Sequence, residues 1–107
     1  RRWIGAREPV LQIVEFSDYL CPFCQRAHGE LRELVTKYPD KVRLIHRHFP
    51  LDTECNPALQ RQMHAGACLM ARMSYCAGVQ GQFWKMNDLL FGLPRGTTPD
   101  PGNLAAE

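Results

Sequence analysis

The sequence has no long apolar run and no strong charge of either sign. No stretch approaches the roughly 18 apolar residues of a membrane-spanning helix, and no signal peptide is present. With 13 Lys and Arg against 11 Asp and Glu, the net charge is only +2. No basic block occurs either, so the sequence does not indicate nucleic acid or an anionic membrane as a partner. Repeats and low-complexity tracts are also absent, which leaves an ordinary globular composition for one domain.

Both ends of the sequence resemble internal positions of a longer protein. The chain begins at Arg1 without a methionine, and residues 103–107 have the composition of the first turn of a helix. We therefore expect a fragment, whose missing upstream part could hold a signal peptide or a membrane anchor.

Hydrophobic periodicity predicts an α/β domain whose first half is a βαβ unit. A short β-branched run typical of a buried strand is followed by apolar residues at three- and four-residue steps, which indicate an amphipathic helix. A second strand and two more helices follow. The predicted elements are strands at 10–16 and 42–49 and helices at 21–38, 64–79 and 82–91, with an irregular loop over 51–63. A strand, helix and strand at this spacing predict parallel strands.

Cys21 and Cys24 form a Cys-Pro-Phe-Cys motif at the start of the first predicted helix. The unpaired N–H groups and the helix dipole favour a thiolate at Cys21, which we expect to be exposed, with Cys24 more buried in the first turn. Pro22 occupies a position where helices tolerate proline. The motif therefore predicts a redox-active dithiol in which Cys21 attacks and Cys24 resolves the mixed disulfide. Pro22 and Phe23, between the cysteines, are expected to tune the redox potential.

Zinc sites and structural disulfides also use two cysteines at this spacing. Zinc would need further ligands, for which His46, His48 and Cys55 are candidates, but no second such pair is present. The position between a buried strand and an amphipathic helix favours redox chemistry, which needs no metal or organic cofactor. A zinc-binding module and a non-catalytic structural module remain the alternatives.

The other three cysteines suggest a structural disulfide. Five cysteines in 107 residues favour an oxidising compartment, and the odd number leaves at least one unpaired. Cys68 and Cys76 lie too far apart on one predicted helix to bond to each other. We expect a Cys55–Cys68 disulfide, with Cys76 as a buried free thiol. A Cys55–Cys76 bond and a second redox pair that relays electrons are the alternatives.

Residues 14–24, Val-Glu-Phe-Ser-Asp-Tyr-Leu-Cys-Pro-Phe-Cys, resemble the active-site segment of the DsbA-like family of thioredoxin-fold proteins. Residues 47–51 resemble the exit of that family's second strand, and 76–84 resemble its helical insertion. The likeness covers about 8–92 and is similar in particular to the bacterial branch found in the periplasm or fused to vitamin K epoxide reductase-like membrane domains. It implies an extracytoplasmic oxidase or isomerase of protein thiols, recycled by a quinone-linked membrane partner that is vitamin K epoxide reductase-like or DsbB-like.

The resemblance also assigns a role to Glu15, which lies six residues before Cys21. The thioredoxin superfamily keeps a buried acid at this place, near the resolving cysteine. A carboxyl group there can move a proton to or from Cys24. We expect Glu15 to be buried because Val14 and Phe16 have the character of core residues. A solvent-exposed strand residue is the alternative.

Two features depart from the family pattern. Phe23 stands where many strongly oxidising relatives have a histidine, so we expect a less oxidising pair than theirs. The family also places a cis-proline before a later strand, whereas Pro94, Pro99 and Pro101 lie in a loop with no strand after them. A thioredoxin-like reductase is the closest enzymatic alternative, although the helical insertion and the extra cysteine pair speak against it.

We therefore expect a single domain over 1–107 that is truncated before the cis-proline loop and the final strands. Its parts would be the βαβ half (8–50), a loop and helical insertion (51–92), and the start of a next element (93–107). Such a fragment would have impaired activity and an exposed sheet edge, which a domain swap or an edge-paired second copy could cover.

The remaining histidines are expected to be structural. We predict His28 to be a partly exposed residue of the first helix, and His46 and His48 to lie on the same face of the second strand.

Overall fold

The computed structural model describes residues 2–94 as three strands and three helices. They are β1 (Trp3–Gly5), β2 (Leu11–Ser17), α1 (Pro22–Lys37), β3 (Val42–His48), α2 (Ala67–Val79) and α3 (Phe83–Phe91). The predicted α/β class is confirmed. The bounds of the five predicted elements differ only slightly from those expected. The predicted next element at 93–107 falls, beyond residue 94, outside the described residues.

The strands form one sheet in the order β1-β3-β2. The parallel pairing of β2 and β3 across α1 is confirmed, with a register that places Glu15 beside His46 and Ser17 beside His48. Because β3 is central, β2 is an edge strand of the described sheet. The ends of β2 and β3 that carry these four residues therefore lie next to the start of α1.

The strand β1 was not predicted, because three residues are too few to show an alternating pattern. It runs antiparallel to β3, with Trp3 opposite Ile45. Gly5 has φ +111°, and a Cβ atom there would overlap the carbonyl oxygen of Val42, so this position requires glycine. The Arg43 guanidinium carbon lies 4.1 Å from the centroid of the Trp3 ring. These contacts anchor the start of the chain to the sheet.

The two faces of the sheet differ in what covers them. Helices lie over one face, the covered face, where Leu44 is 0% exposed and packs with Val35 of α1. On the opposite, open face, Val14 is 44% and Phe16 69% exposed. The prediction that Val14 and Phe16 are core residues is therefore wrong. Alternate residues of a strand point to opposite faces, and Glu15 takes the covered one.

A second core joins the turn before α1 to the helical segment. Tyr19 packs there against the two helices after the sheet, and its buried partners are Met70, Met73, Ala77, Met86, Leu90 and Phe91. Within residues 2–94, no helix has both the length and the apolar character needed to cross a membrane.

The loop between β3 and α2 is organised around Asp52, which is 1% exposed. Its carboxylate accepts hydrogen bonds from the N–H groups of Glu54, Gly66 and Cys68 and from the side chain of Gln62. These bonds, that of Gln62 foremost, lower the pKa of Asp52 to about 2. The carboxylate thus satisfies N–H groups at the start of α2, which begins at Ala67, later than predicted.

Candidate active site

Cys21 and Cys24 lie at the junction of β2 and α1. Cys21 immediately precedes α1 in an extended conformation, and Pro22 is the first helical residue. The Cys21 N–H donates to the carbonyl of Asp18 at 3.1 Å, and the Cys21 carbonyl accepts from the N–H of Gln25 at 3.0 Å. Both cysteines are half-buried free thiols, so the structure describes the dithiol form. Cys21 was expected to be exposed and Cys24 more buried, but Cys21 is half-buried like Cys24.

The surroundings of Cys24 change its acidity. It packs against the core around Tyr19. Burial raises its pKa, as does the Cys21 thiol, while the backbone of Asp18 and the hydroxyl of Ser17 oppose the rise. Cys24 is therefore protonated at neutral pH in the dithiol form, and it must lose a proton before it can attack a disulfide.

Ser17 is a neighbour of Cys24 that the sequence analysis missed. It is the last residue of β2, is 4% exposed, and points to the covered face together with Glu15. Its hydroxyl oxygen is buried and makes no hydrogen bond of good geometry with the described residues. The hydroxyl is thus available as a donor to a Cys24 thiolate. Only the strand register, which places Ser17 at the helix start, reveals this.

Asp18 holds the turn before the cysteines in place. Its carboxylate is 3% exposed and accepts hydrogen bonds from the N–H groups of Leu20 (2.6 Å) and Leu51 (2.7 Å) and from Nδ1 of His64 (2.9 Å). The turn that carries Cys21 is therefore fixed to the loop after β3. An aspartate a few residues before a helix is a sequence signal for such a turn.

Glu15 is largely but not fully buried, and for a different reason than expected. Its side chain is 10% exposed and its Oε1 lies 3.1 Å from Nδ1 of His46, the neighbour across the strands. The groups that influence the acidity of Cys24 are Ser17, Asp18 and Cys21. Glu15 lies two residues before Ser17 on the same face of β2. At the usual rise of a strand, this separates the two residues by about 7 Å.

Phe23 is the most exposed residue of the motif. Its side chain is 75% exposed, and the guanidinium carbon of Arg26 lies 5.9 Å from the centroid of its ring. The ring offers no hydrogen bond to either thiol. An apolar surface therefore lies directly beside the two cysteines.

His28 is buried, which corrects the prediction of partial exposure. It is 7% exposed because Phe91 of α3 stacks on its ring, with the centroids 4.4 Å apart. Its Nε2 lies 2.8 Å from the carboxylate of Asp88, which also accepts two hydrogen bonds from Arg32. These residues line a shallow groove of about 510 Å³ between α1 and α3 that does not include the cysteines.

The structure joins Cys55 to Cys68, the disulfide favoured from the sequence. Cys76 is exposed, so the expectation of a buried thiol is wrong. The reason is its place on the outer side of α2, where Tyr75 and Val79 are also exposed. Because Cys55 is bonded to Cys68, a Cys55–Cys76 bond does not form in this structure.

The ligands considered for zinc have other partners. Nε2 of His46 lies 3.2 Å from Nδ1 of His48, and Cys55 is part of the disulfide. In the described part of the chain, no three His, Cys, Asp or Glu side chains are grouped so that they could hold a metal ion.

Comparison with known families and proteins agrees with this geometry. The family model for thioredoxin matches residues 1–88. Among curated proteins, the Na(+)/H(+) antiporter NhaA 1 of Salinispora arenicola is 38% identical over 86 residues, which are 80% of this chain and 12% of the antiporter. The protein of that name from Mycolicibacterium vanbaalenii is 37% identical over 87 residues, 81% of this chain and 13% of its own length. The chain thus spans about an eighth of these relatives.

Solved structures show the same fold. Pseudomonas aeruginosa DsbA2 has a TM-score of 0.68 at 30% identity, over 99% of this chain and 63% of that protein. A periplasmic thioredoxin-like protein from Salmonella enterica serovar Typhimurium has a TM-score of 0.71 at 28% identity, over 96% and 53%. Bacillus subtilis BdbD in its oxidised form has a TM-score of 0.68 at 20% identity, over 98% and 57%, and supports the fold alone.

Proposed function

The chain belongs to the thioredoxin family, with DsbA-like thiol–disulfide oxidoreductases as its structural neighbours, and we propose that it exchanges disulfides with protein thiols through Cys21 and Cys24. The observation that carries this proposal is the position of the pair: Cys21 directly before α1 and Cys24 in its first turn, both free. A helix start stabilises the thiolate that thiol exchange requires.

The exchange takes place in two steps at Cys21. Its thiolate attacks one sulfur of a substrate disulfide, so that a mixed disulfide forms and the other substrate sulfur leaves as a thiolate with the electron pair. Cys24 then loses its proton and attacks Cys21, which closes the Cys21–Cys24 bond and releases the second substrate thiolate. The substrate is reduced by two electrons and the protein is oxidised. Run in reverse, the same steps oxidise a substrate dithiol, the direction of an oxidase.

Glu15 is the proposed acceptor of the Cys24 proton. Its side chain is 10% exposed and lies on the covered face, on the same side of β2 as Ser17, which adjoins Cys24. Positioned acids and bases accelerate such proton transfers by about 100-fold or more. Ser17, which adjoins Cys24, is proposed to supply a hydroxyl to the Cys24 thiolate.

Phe23 and Pro22 are proposed to set the redox potential and part of the substrate contact. The exposed Phe23 ring offers an apolar surface to an unfolded substrate, and it gives the thiolate no hydrogen bond. We expect the pair to be less oxidising than the strongest DsbA-like proteins. This property suits an isomerase or a moderate oxidase.

The location proposed for this activity is the periplasm or another extracytoplasmic compartment. The Cys55–Cys68 disulfide supports it, because structural disulfides persist in oxidising environments. The curated relatives are Na(+)/H(+) antiporters, which supports a tether to the membrane. The recycling partner proposed there is a quinone-linked protein of the vitamin K epoxide reductase-like or DsbB-like kind.

Full activity is proposed to need more than the residues described here. The outer edge of β2 pairs with no strand within residues 2–94, and Val14 and Phe16 beside it are exposed. An open edge of this kind is suited to pair with another strand, including that of a second copy. In that case the activity of the isolated chain would be lower than that of the longer protein.

The test is a glutathione titration of the Cys21–Cys24 pair, read by alkylation and mass spectrometry in the longer protein. A midpoint above about −200 mV supports an oxidase or isomerase, since disulfide isomerase and DsbA lie at about −180 and −120 mV. A midpoint near about −270 mV, that of thioredoxin, indicates a reductase instead. A bond that never reduces in this range contradicts any exchange activity. Cys76→Ser serves as the control, because it removes the exposed third thiol without touching the pair.

A further inference from the structure

A continuous chain of hydrogen-bonding groups links Glu15 on β2 to Ser74 on α2. Oε1 of Glu15 lies 3.1 Å from Nδ1 of His46, and Nε2 of His46 lies 3.2 Å from Nδ1 of His48. Nε2 of His48 lies 3.1 Å from the hydroxyl of Ser74 on α2, and this hydroxyl is also 2.9 Å from the carbonyl oxygen of Ala71. Every polar atom along this path therefore has a neighbour with which it can share a proton.

The central residue of this chain, His46, and its last side chain, Ser74, are closed to solvent. His46 and Ser74 are both 0% exposed. Tyr19 stacks on the His46 ring with centroids 5.6 Å apart, and Phe83 of α3 approaches the same ring at 5.4 Å. A proton on His46 thus exchanges only through Glu15 or His48, and not directly with water.

Few other titratable or charged groups face the chain. Tyr19 faces His46 from the turn before α1; burial raises its pKa, so it stays neutral. Arg2, next to β1, faces His48, and burial together with His46 and Arg2 lowers the pKa of His48 to about 4. His48 is therefore neutral at pH 7, carrying its one proton on either Nδ1 or Nε2. From α3 the neutral amide of Asn87 lies 3.4 Å from Nδ1 of His46.

The hydrogen bonds can be arranged in two complete ways. In the first, Glu15 accepts from His46 Nδ1–H, His46 Nε2 accepts from His48 Nδ1–H, and His48 Nε2 accepts from the Ser74 hydroxyl. In the second, His46 donates from Nε2 to His48, His48 donates from Nε2 to Ser74, and Ser74 donates to the carbonyl of Ala71. In this second arrangement one further proton lies between Oε1 of Glu15 and Nδ1 of His46. The second arrangement holds one proton more than the first.

We propose that His46 is a positioning residue for the exchange reaction, because it joins Glu15, His48 and Ser74 into a buried store for a single proton. The inference rests on the proposed function and extends it: the acid near Cys24 acts as the end of a chain and not as an isolated carboxylate. In its proton-poor arrangement the chain takes the proton of the Cys24 thiol. The resulting thiolate attacks Cys21, and the released substrate thiolate takes up a proton from solvent. The chain keeps the Cys24 proton until Cys24 is reduced again and takes it back.

The kinetic test follows closure of the Cys21–Cys24 bond by the full reduced chain with oxidised glutathione, quenched with acid between pH 5.5 and 8.5. We expect Glu15→Gln and His46→Gln each to slow closure about tenfold or more at pH 6 and to steepen the pH profile, because the first removes the proton acceptor and the second removes the histidine that shares its proton. The double variant should be no slower than either single one, because the two residues hold the same proton.

His28→Gln is the matched control, since His28 is also a buried histidine paired with a carboxylate but lies outside the chain. It should leave the pH profile unchanged. The proposal is overturned if His46→Gln keeps the wild-type profile while Glu15→Gln changes it, or if the effects of the two substitutions multiply.

A second measurement separates this proposal from the proposed activity. The 15N shifts of the imidazole rings in the wild-type chain report which nitrogen of His48 carries the proton. We expect the His48 proton to move from Nδ1 at high pH to Nε2 at low pH between pH 9 and 5. A single tautomer throughout would overturn the proton store even if the enzyme is active. If the His48 tautomer changes but the protein shows no disulfide exchange, the buried proton store is supported and the proposed exchange function is refuted.

Discussion

The covered and open faces of the same sheet carry different kinds of residue. On the covered face the strands present Leu44, the buried His46 and the largely buried Glu15. On the open face Val14 and Phe16 remain exposed. On β2, Glu15 of the covered face alternates with Val14 and Phe16 of the open face. The difference shows that polar residues with a proposed role lie under the helices, where water is excluded, while the apolar open-face residues contribute little to the core of the described chain.

The largest difference between the faces should be in stability. Leu44→Ala, at a position that is 0% exposed, should lower the free energy of unfolding by about 2–5 kcal/mol, because it leaves a cavity in the core. Val14→Ala on the open face should cost about 0.5 kcal/mol. Urea unfolding of both variants measures the comparison, and equal losses would mean that the open face is covered in solution.

The disulfide should stabilise the loop that packs beside the covered face. Cys55→Ser should lower the free energy of unfolding by about 3 kcal/mol, the value for a loop of this size, because the bond joins cysteines that are 13 positions apart in the sequence. Cys76→Ser removes an exposed thiol and should change stability little. The two variants are compared by thermal unfolding under non-reducing conditions. A similar loss in both would contradict a structural role for the bond.

The pH dependence of the unfolding free energy should also differ between His48 on the covered face and its neighbour Arg47 on the open face. The pKa of His48 falls from 6.5 in the unfolded chain to about 4 in the folded one. Between these values the unfolded chain binds a proton that the folded chain does not, so stability decreases as the pH falls from 6.5 to 4. His48→Gln should flatten this part of the profile, measured by urea midpoints. Arg47→Gln, at the exposed neighbouring position, should leave the slope as it is.

The smallest expected effect concerns the last residue of β2. Ser17→Ala removes the hydroxyl that opposes the rise in the Cys24 pKa, so this pKa should rise further. In a Cys21→Ser background, alkylation of Cys24 at pH 8 should slow about fivefold, as expected for one hydrogen bond. Ser17→Thr keeps the hydroxyl and should restore the rate. Unchanged alkylation in Ser17→Ala would show that Ser17 does not contact the thiolate.

Local sequence patterns were enough to predict most elements and the reactive pair. The apolar stripe of α1, Pro22 in its first turn and the spacing of Cys21 and Cys24 are short-range features, and short-range features set helix starts. The strand β1 was not predicted because its three residues are too few to show the two-residue period of a strand. The error over Val14 and Phe16 came from reading a mostly apolar run as buried on both sides, as in a sheet covered on both faces.

The surroundings of the cysteines depended on contacts between distant segments. Asp18 meets His64, and His28 meets Asp88, across separations that no periodicity reveals. Cys76 could not be placed from the sequence, because α2 is apolar on more than one side. The roles proposed for Glu15 and Phe23 remain predictions that the experiments above address.

The sequence by itself determined that this chain has a βαβ unit with a dithiol at a helix start, because those features depend on neighbouring residues. Only the tertiary structure decided that Glu15 contacts His46 and that Ser17 adjoins Cys24. A strand shows its period from sequence, but which face is covered depends on where the helices pack. The pairing of β2 with β3 then decides which polar groups share a low-dielectric interior, and with it where a proton can be held.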